Sequence, residues 1–179
     1  MAIDTPATSG LECCFEKESE LEEAERKTNF DFFVLLPKEK KVFFEIKYTE
    51  YGFGKAKKDK EHRDKFKKTY LPLLRVSDCL EKQCHDENFF LKHYQMLRNL
   101  VHLSSASNLV LLFPSANQKI RDQAEEAKNN FLNDLGRSRF KVVYLEELIS
   151  DMKKSCFNTA LASYWSKFEG KYLLPEWRR

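Results

Sequence analysis

The sequence predicts an α/β domain, a mixed β-sheet flanked by helices. Three observations carry that expectation. Two aromatic and β-branched runs, Phe30 to Leu36 and Val42 to Thr49, flank Pro37-Lys38-Glu39-Lys40 and read as an antiparallel hairpin. Two further apolar runs, Asn108 to Phe113 and Phe140 to Leu145, alternate with helix-period segments, the pattern of a sheet covered by helices. Finally, 179 residues that are 42% hydrophobic, with five Gly and five Pro, suit one globular domain and exclude collagen-like or wholly disordered chains. The expected domain spans residues 1–179, with a loose start over 1–10.

Taken in order, Leu11 to Leu21 alternates Leu11, Cys13 and Phe15, which favours a strand, although its glutamates would also suit a helix. Arg26 to Asn29 reads as a turn before the hairpin. Tyr51-Gly52-Phe53-Gly54 reads as a flexible turn. A helix is expected from about Lys55 to Arg75, and a second from about Glu81 to Leu103, where Phe90, Tyr94, Leu97 and Val101 recur at helical spacing. Asn117 can cap a helix running to Leu135, with Gly136 as its stop. Leu148 to Lys154 and Phe157 to Tyr172 read as closing helices.

Charge and cysteine placement narrow the function. No apolar run approaches the roughly 20 residues of a membrane span, and Met1 to Gly10 lacks the basic start and apolar stretch of a secretory leader. Cys13, Cys14, Cys79, Cys84 and Cys156 form no paired CxxC frame, so reduced thiols and a cytoplasmic location are expected. Cys79, Cys84 and His85, with His93 or His102, match no standard zinc module. The net charge is only +3, but Lys55 to Lys68 holds eight basic residues. Such a segment can lie along a phosphate backbone, with Lys55, Lys57, Lys58, Arg63 and Lys65 as the nucleic-acid-binding candidates. The alternative is a solvated face laced with pairs such as Glu61–Lys65.

The hairpin carries the chemistry. With its centre near Lys38, Phe33 faces Phe43 and Asp31 faces Glu45. Asp31, Phe33, Phe43, Glu45 and Lys47 then share one face, and Phe30, Phe32, Val34, Val42, Phe44 and Ile46 the other. Two carboxylates opposed on an apolar face repel, and burying them uncompensated costs several kcal/mol. A Mg²⁺ ion, which prefers oxygen ligands, would relieve both. Lys47 on the same face can reach a phosphate oxygen, so the set suits metal-assisted attack of water on a phosphodiester. Glu-x-Lys alone is weak; it recurs at Glu25–Lys27, Glu39–Lys41, Glu126–Lys128 and Glu169–Lys171, in polar, turn-like or helical surroundings. Only Glu45-Ile46-Lys47 ends an aromatic strand with an aspartate placed opposite.

Asp31, thirteen residues, then Glu45-Ile46-Lys47 resembles the PD-(D/E)xK nuclease superfamily, with its restriction-endonuclease-like fold. Thr28-Asn29-Phe30-Asp31-Phe32, Phe44 to Glu50, Gly52-Phe53-Gly54-Lys55-Ala56-Lys57 and His93-Tyr94-Gln95 with Arg98-Asn99 resemble one bacterial, restriction-endonuclease-like branch. The resemblance implies an endonuclease that hydrolyses DNA with Mg²⁺ or Mn²⁺. It makes Asp31, Glu45 and the Ile46 carbonyl metal ligands, Lys47 the residue that orients water or stabilises phosphate charge, and Gln95 an accessory catalytic residue. Tyr48 and Glu50 would support them. Against these roles, Asp31 can instead cap a turn, and Lys47 can lie at a strand end in water. Many members also carry a glutamate on a helix before the first strand. No glutamate lies among the first ten residues, so Glu16, Glu18 or Glu22 would serve only if that stretch were helical. A homodimer would suit double-strand cleavage, a protein partner could complete the site, and a non-cutting nuclease-fold binder of nucleic acid or protein is the alternative.

Overall fold

The computed structural model describes residues 11–23, 26–155 and 159–173. Five strands form a mixed sheet in the order β1 (Glu12–Glu18), β2 (Asn29–Leu36), β3 (Lys40–Ile46), β4 (Ser107–Phe113), β5 (Phe140–Tyr144). The first three pair antiparallel, while β4 and β5 join parallel to β3. The helices are α1 (Lys60–Lys65), α2 (Leu71–Val76), α3 (Glu87–Lys92), α4 (Tyr94–Leu100), α5 (Gln118–Glu126), α6 (Asp134–Arg139), α7 (Leu145–Lys154) and α8 (Thr159–Tyr172). None of the described helices is long and apolar enough to cross a membrane. This is the expected α/β class.

The hairpin register is the one the turn predicts: Phe33 pairs with Phe43 and Val34 with Val42. Lys38 and Glu39 turn the chain at φ 63° and 57°. The strand that begins near Val42 ends at Ile46, short of Thr49. Strand alternation also breaks at one level. Phe15 pairs with Phe32 and Lys17 with Phe30, but Glu16 (φ 54°) and Asp31 between them do not pair. Across this irregularity the side chains change face. The Phe30 ring lies 4.5 Å from that of Phe43, and Lys17 stands over Phe33, so Phe30 belongs to the core face rather than to the face of Phe32.

That core face carries Phe33, Phe43, Leu109, Leu111 and Phe140, packed with Phe66, Tyr70, Leu74, Phe90, Leu97 and Leu100 of the helical layer. Fully burying each such side chain is worth roughly 1.5–3 kcal/mol, which explains why the aromatic supply concentrates here. On the opposite face Phe15, Phe32 and Phe44 form a row of rings, with Phe15 76% exposed.

Three expected helices differ, and tertiary contacts explain each. The basic helix begins at Lys60, because Asp59 accepts the His62 N–H as N-cap, and residues 55–59 instead run beside α3. It continues through a π-helical turn, Phe66–Tyr70, into α2. The second helix is divided at His93 (φ −113°, ψ 31°). In an unbroken helix Gln95 N–H would bond Leu91 O. Here Gln95 N–H goes to Gly54 O and Leu91 O accepts from Ala56 N–H, so residues 54–56 occupy both halves of the missing bond. The third, from Asn117, ends at Phe131; Leu132 is extended and bridges Leu80. Gly136 is not a stop but sits inside α6, where its N–H meets the Asn133 cap; an added Cβ would lie 2.3 Å from the Cys79 carbonyl oxygen. Of the expected closing helix, Phe157 lies outside the described residues, and α8 runs from Thr159 to Tyr172.

Candidate active site

The irregular level of the sheet is where the candidate side chains meet. Regular β2–β3 pairing stops at Phe32–Phe44; one step further, where Asp31 would face Glu45, Asp31 Oδ2 accepts the Ile46 N–H at 2.6 Å. Glu45 projects into the core face at 6% exposure. Lys47, just past the strand, is equally buried because its backbone N–H still bonds Leu112 O on β4. Lys47 Nζ lies 2.8 Å from Glu45 Oε1 and 3.7 Å from Glu50 Oε1, and stands 5.5 Å from the centre of the Phe53 ring. Asp31 therefore does not cap a turn, and Lys47 does not lie in water.

Burial raises the Glu45 carboxyl above the ordinary range, and the charge of Asp31 raises it further; Lys47 and the neighbouring Asn99 amide pull the other way. Asn99 is buried on α4, and its Nδ2 makes no regular hydrogen bond. Its part at the site was open to sequence reasoning only as a neighbour of Arg98 in the helical motif.

Gln95 faces the loop that follows Lys47. Its Oε1 accepts the Gly54 N–H at 2.9 Å while its own N–H bonds Gly54 O at 3.1 Å. Gln123 Oε1 accepts the Phe53 N–H at 2.8 Å, and Asn117 Nδ2 donates to Glu50 O at 2.9 Å. Residues 50–54 are thus tied at three points, and the amides of Phe53 and Gly54 are spent within the protein rather than left to receive a phosphate. Gln123 and Asn117, more than 60 residues away in sequence, escaped sequence reasoning because only the fold brings α5 beside this loop.

The glutamate sought before the first strand has no helix here, since Glu12–Glu18 is strand. Glu16 lies one strand over from Asp31 but is exposed and bonds the Asn29 side chain. Glu22 is 1% exposed in the β1–β2 connection: its Oε2 accepts from Tyr70 Oη (2.9 Å) and Thr28 N–H (3.1 Å), while Oε1 accepts no hydrogen bond among the described residues and lies 3.9 Å from His102 Nε2. Among the described residues no group of three or more His, Cys, Asp or Glu converges as a metal cage. Cys79 and Cys84 are core thiols pushed up to about 12 by burial, and His85 bonds Leu74 O.

The basic candidates divide in two. Lys55, Lys57 and Lys58 are exposed and make no ion pair among the described residues. Arg63 binds Glu87 at 2.7 Å and Lys58 O at 3.3 Å, and Lys65 Nζ donates to Arg26 O at 2.6 Å.

A five-strand mixed sheet flanked by helices is the architecture of a restriction-endonuclease-like protein. The chain belongs to the family described as Restriction Endonuclease associating with ARP (REase-ARP), whose profile matches residues 1–173. No curated protein and no solved structure matches the chain significantly.

Proposed function

We propose that the protein is a metal-dependent endonuclease of the PD-(D/E)xK type that hydrolyses phosphodiester bonds of DNA in a restriction or defence role. The observation that carries this reading is the buried Glu45–Lys47 pair with Asp31 beside it, at a break in an otherwise apolar sheet. The residues fit a divalent cation. Glu45 is held above its ordinary pKa by burial and by a second carboxylate, two penalties that an oxygen-preferring cation removes together. Asp31, Glu45 and the Ile46 carbonyl would hold Mg²⁺ or Mn²⁺, which when bound polarises the phosphoryl oxygen and neutralises charge developing on it.

The rest belongs to the chain itself. Lys47 has two acidic neighbours, Glu45 and Glu50, and a place over Phe53, so its ammonium is held where it can orient the attacking water and meet phosphate charge. Asn99 favours the ionised form of Glu45. Gln95 touches Gly54 rather than Glu45 or Lys47, which makes it a positioning residue for the loop under Lys47. Lys55, Lys57 and Lys58 supply a phosphate-binding surface next to that loop.

The test is cleavage of supercoiled and single-stranded DNA with Mg²⁺ or Mn²⁺ by the wild type and Glu45→Ala. Cutting that vanishes in the variant supports the reading, and no cutting by the wild type overturns it for the isolated chain. A second reading has its own support: no three-ligand cage is present among the described residues, and the family description names association with ARP. On that reading a protein partner completes the site, or the chain binds nucleic acid without cutting.

A further inference from the structure

Tyr51 follows the catalytic strand by five residues and is 86% exposed, the most exposed of the large hydrophobic side chains described. Looseness of the backbone does not account for this, because its neighbours are fixed. Glu50 O is bonded by Asn117, Phe53 N–H by Gln123, and Gly54 by Gln95 on both its N–H and its carbonyl. Gly52 permits the approach: a Cβ there would lie 2.8 Å from Gln123 Oε1. The tied loop therefore presents an aromatic ring to solvent at a defined place, and the residue beside it, Glu50, reaches Lys47 at 3.7 Å.

Tyr51 also lines a cleft of about 470 Å³ between this loop and the start of α5. The other lining residues include Thr49, Glu50, Asn117, Gln118, Lys119 and Asp122. Two carboxylates against one lysine disfavour a phosphate there. The Gln118 amide and the Thr49 hydroxyl beside an aromatic face suit the uncharged part of a nucleotide, whereas the Asn117 amide is engaged by Glu50 O and the Ile120 N–H. The neighbouring Lys55, Lys57 and Lys58 suit its backbone.

We propose that this cleft holds an unpaired nucleobase of the substrate, stacked on the Tyr51 ring and one short step from the Glu45–Lys47 site. The inference rests on the nuclease reading and gives it a substrate class: single strands, or duplexes with an extruded or unpaired base. A base inside a regular duplex keeps its faces covered by its neighbours and cannot offer one to Tyr51.

The test uses the full chain with chelator present, so that binding is read without cutting. The probe is a short DNA strand carrying 2-aminopurine, alone, annealed to its complement, or bulged at that base. Stacking predicts quenching of the 2-aminopurine by the wild type and Tyr51→Trp, but not by Tyr51→Ala. It also predicts about tenfold weaker single-strand and bulge binding by Tyr51→Ala, with fully paired duplex binding changed less than twofold. Tyr51→Ala should keep its Tm, because the ring it removes is exposed. Equal single-strand affinity and quenching in the wild type and Tyr51→Ala overturn the stacking proposal and leave the nuclease reading intact. No binding of any probe by the wild type also overturns the stacking proposal, while the nuclease reading is decided separately by the cleavage test with Mg²⁺ or Mn²⁺. An RNA strand of the same sequence, run in parallel, shows which backbone carries the stacked base.

Discussion

At the scale of single residues, the site is a balance among four groups. Glu45 sits at 6% exposure, where burial and Asp31 oppose its ionisation and Lys47 and Asn99 favour it. Each influence can be removed nearly isosterically. In the metal-free protein, carboxyl carbon NMR should find Glu45 titrating above the ordinary carboxylate range. Asp31→Asn, which keeps an acceptor for the Ile46 N–H, should lower that titration, and Asn99→Leu should raise it. A Glu45 titration that ignores both changes would mean that the carboxylate is solvated rather than held in the site. Lys47→Met carries a different cost: it leaves Glu45 buried without its cation, and losing one partner of a buried pair typically destabilises by roughly 3–5 kcal/mol. Protonation of Glu45 would offset part of that. The sign is fixed because its folded pKa is already raised: the metal-free protein is favoured below the ordinary carboxylate range and loses that stability as pH rises through the folded value.

At the scale of elements, the helix break at His93 and the loop 50–54 are one device. Residues 54–56 take the N–H of Gln95 and give an N–H to Leu91 O, so the helix is interrupted where it meets the site. Gln95→Ala removes only the side-chain acceptor for Gly54 N–H, a bond worth about 1 kcal/mol. Hydrogen exchange at Gly54 should accelerate by about fivefold or more while exchange at the core strand β4 is unchanged. If the enzyme cuts, the same variant should lower kcat more than it raises KM, since Lys47 rests over Phe53 of that loop. This device also shows what sequence could and could not reveal. The hairpin and its register from Phe32–Phe44 to the turn were legible, because β-branched and aromatic runs, a turn and period-two alternation are local features; the expected pairing of Asp31 with Glu45 lies one step beyond, where Asp31 instead accepts the Ile46 N–H. Alternation failed at Phe30, where the unpaired level of Glu16 and Asp31 exchanges the faces. The helix expected over 55–75 starts late, at Lys60, because Asp59 caps it and the preceding residues bond α3, while those expected over 81–103 and 117–135 are interrupted by a backbone bond or bridge to a distant segment although apolar periodicity continues through them. Gln123 and Asn117 stayed hidden for the same reason.

At the scale of the whole molecule, two distributions of charge make separate predictions. The first is the surface. Counterion release makes the logarithm of DNA affinity fall with the logarithm of salt by about 0.9 for each phosphate neutralised. Lys55→Gln, Lys57→Gln and Lys58→Gln should each flatten that slope by about one unit or less, because these side chains are exposed and without ion pairs among the described residues. Arg63→Gln should leave the slope nearly unchanged, since its guanidinium is committed to Glu87 and Lys58 O. The second distribution is buried. Glu22 and His102 tie the β1–β2 connection to α4 through Ser19, Tyr70, Thr28 and Arg98: Ser19 Oγ lies 2.7 Å from His102 Nε2, and His102 Nδ1 lies 3.0 Å from Arg98 O. Burial lowers the His102 pKa; Glu22 at 3.9 Å and the backbone carbonyls of Arg98 and Asn99 pull it up, the Arg98 charge pushes it down, and burial dominates. The folded protein therefore holds fewer protons at this ring than the unfolded chain does. Stability must fall as the pH drops below the ordinary imidazole value of about 6.5, and it keeps falling until the folded ring itself titrates. Tm measured from neutral pH into this window should decline. His102→Gln, which keeps a side-chain acceptor for the Ser19 hydroxyl and cannot take a proton, should be less stable at neutral pH but lose less on acidification. Parallel curves for the two proteins would place the acid sensitivity elsewhere. The partly buried His93, also lowered by burial, is then the group to change, because it faces Glu126 across 3.9 Å in the same helical layer that positions Gln95.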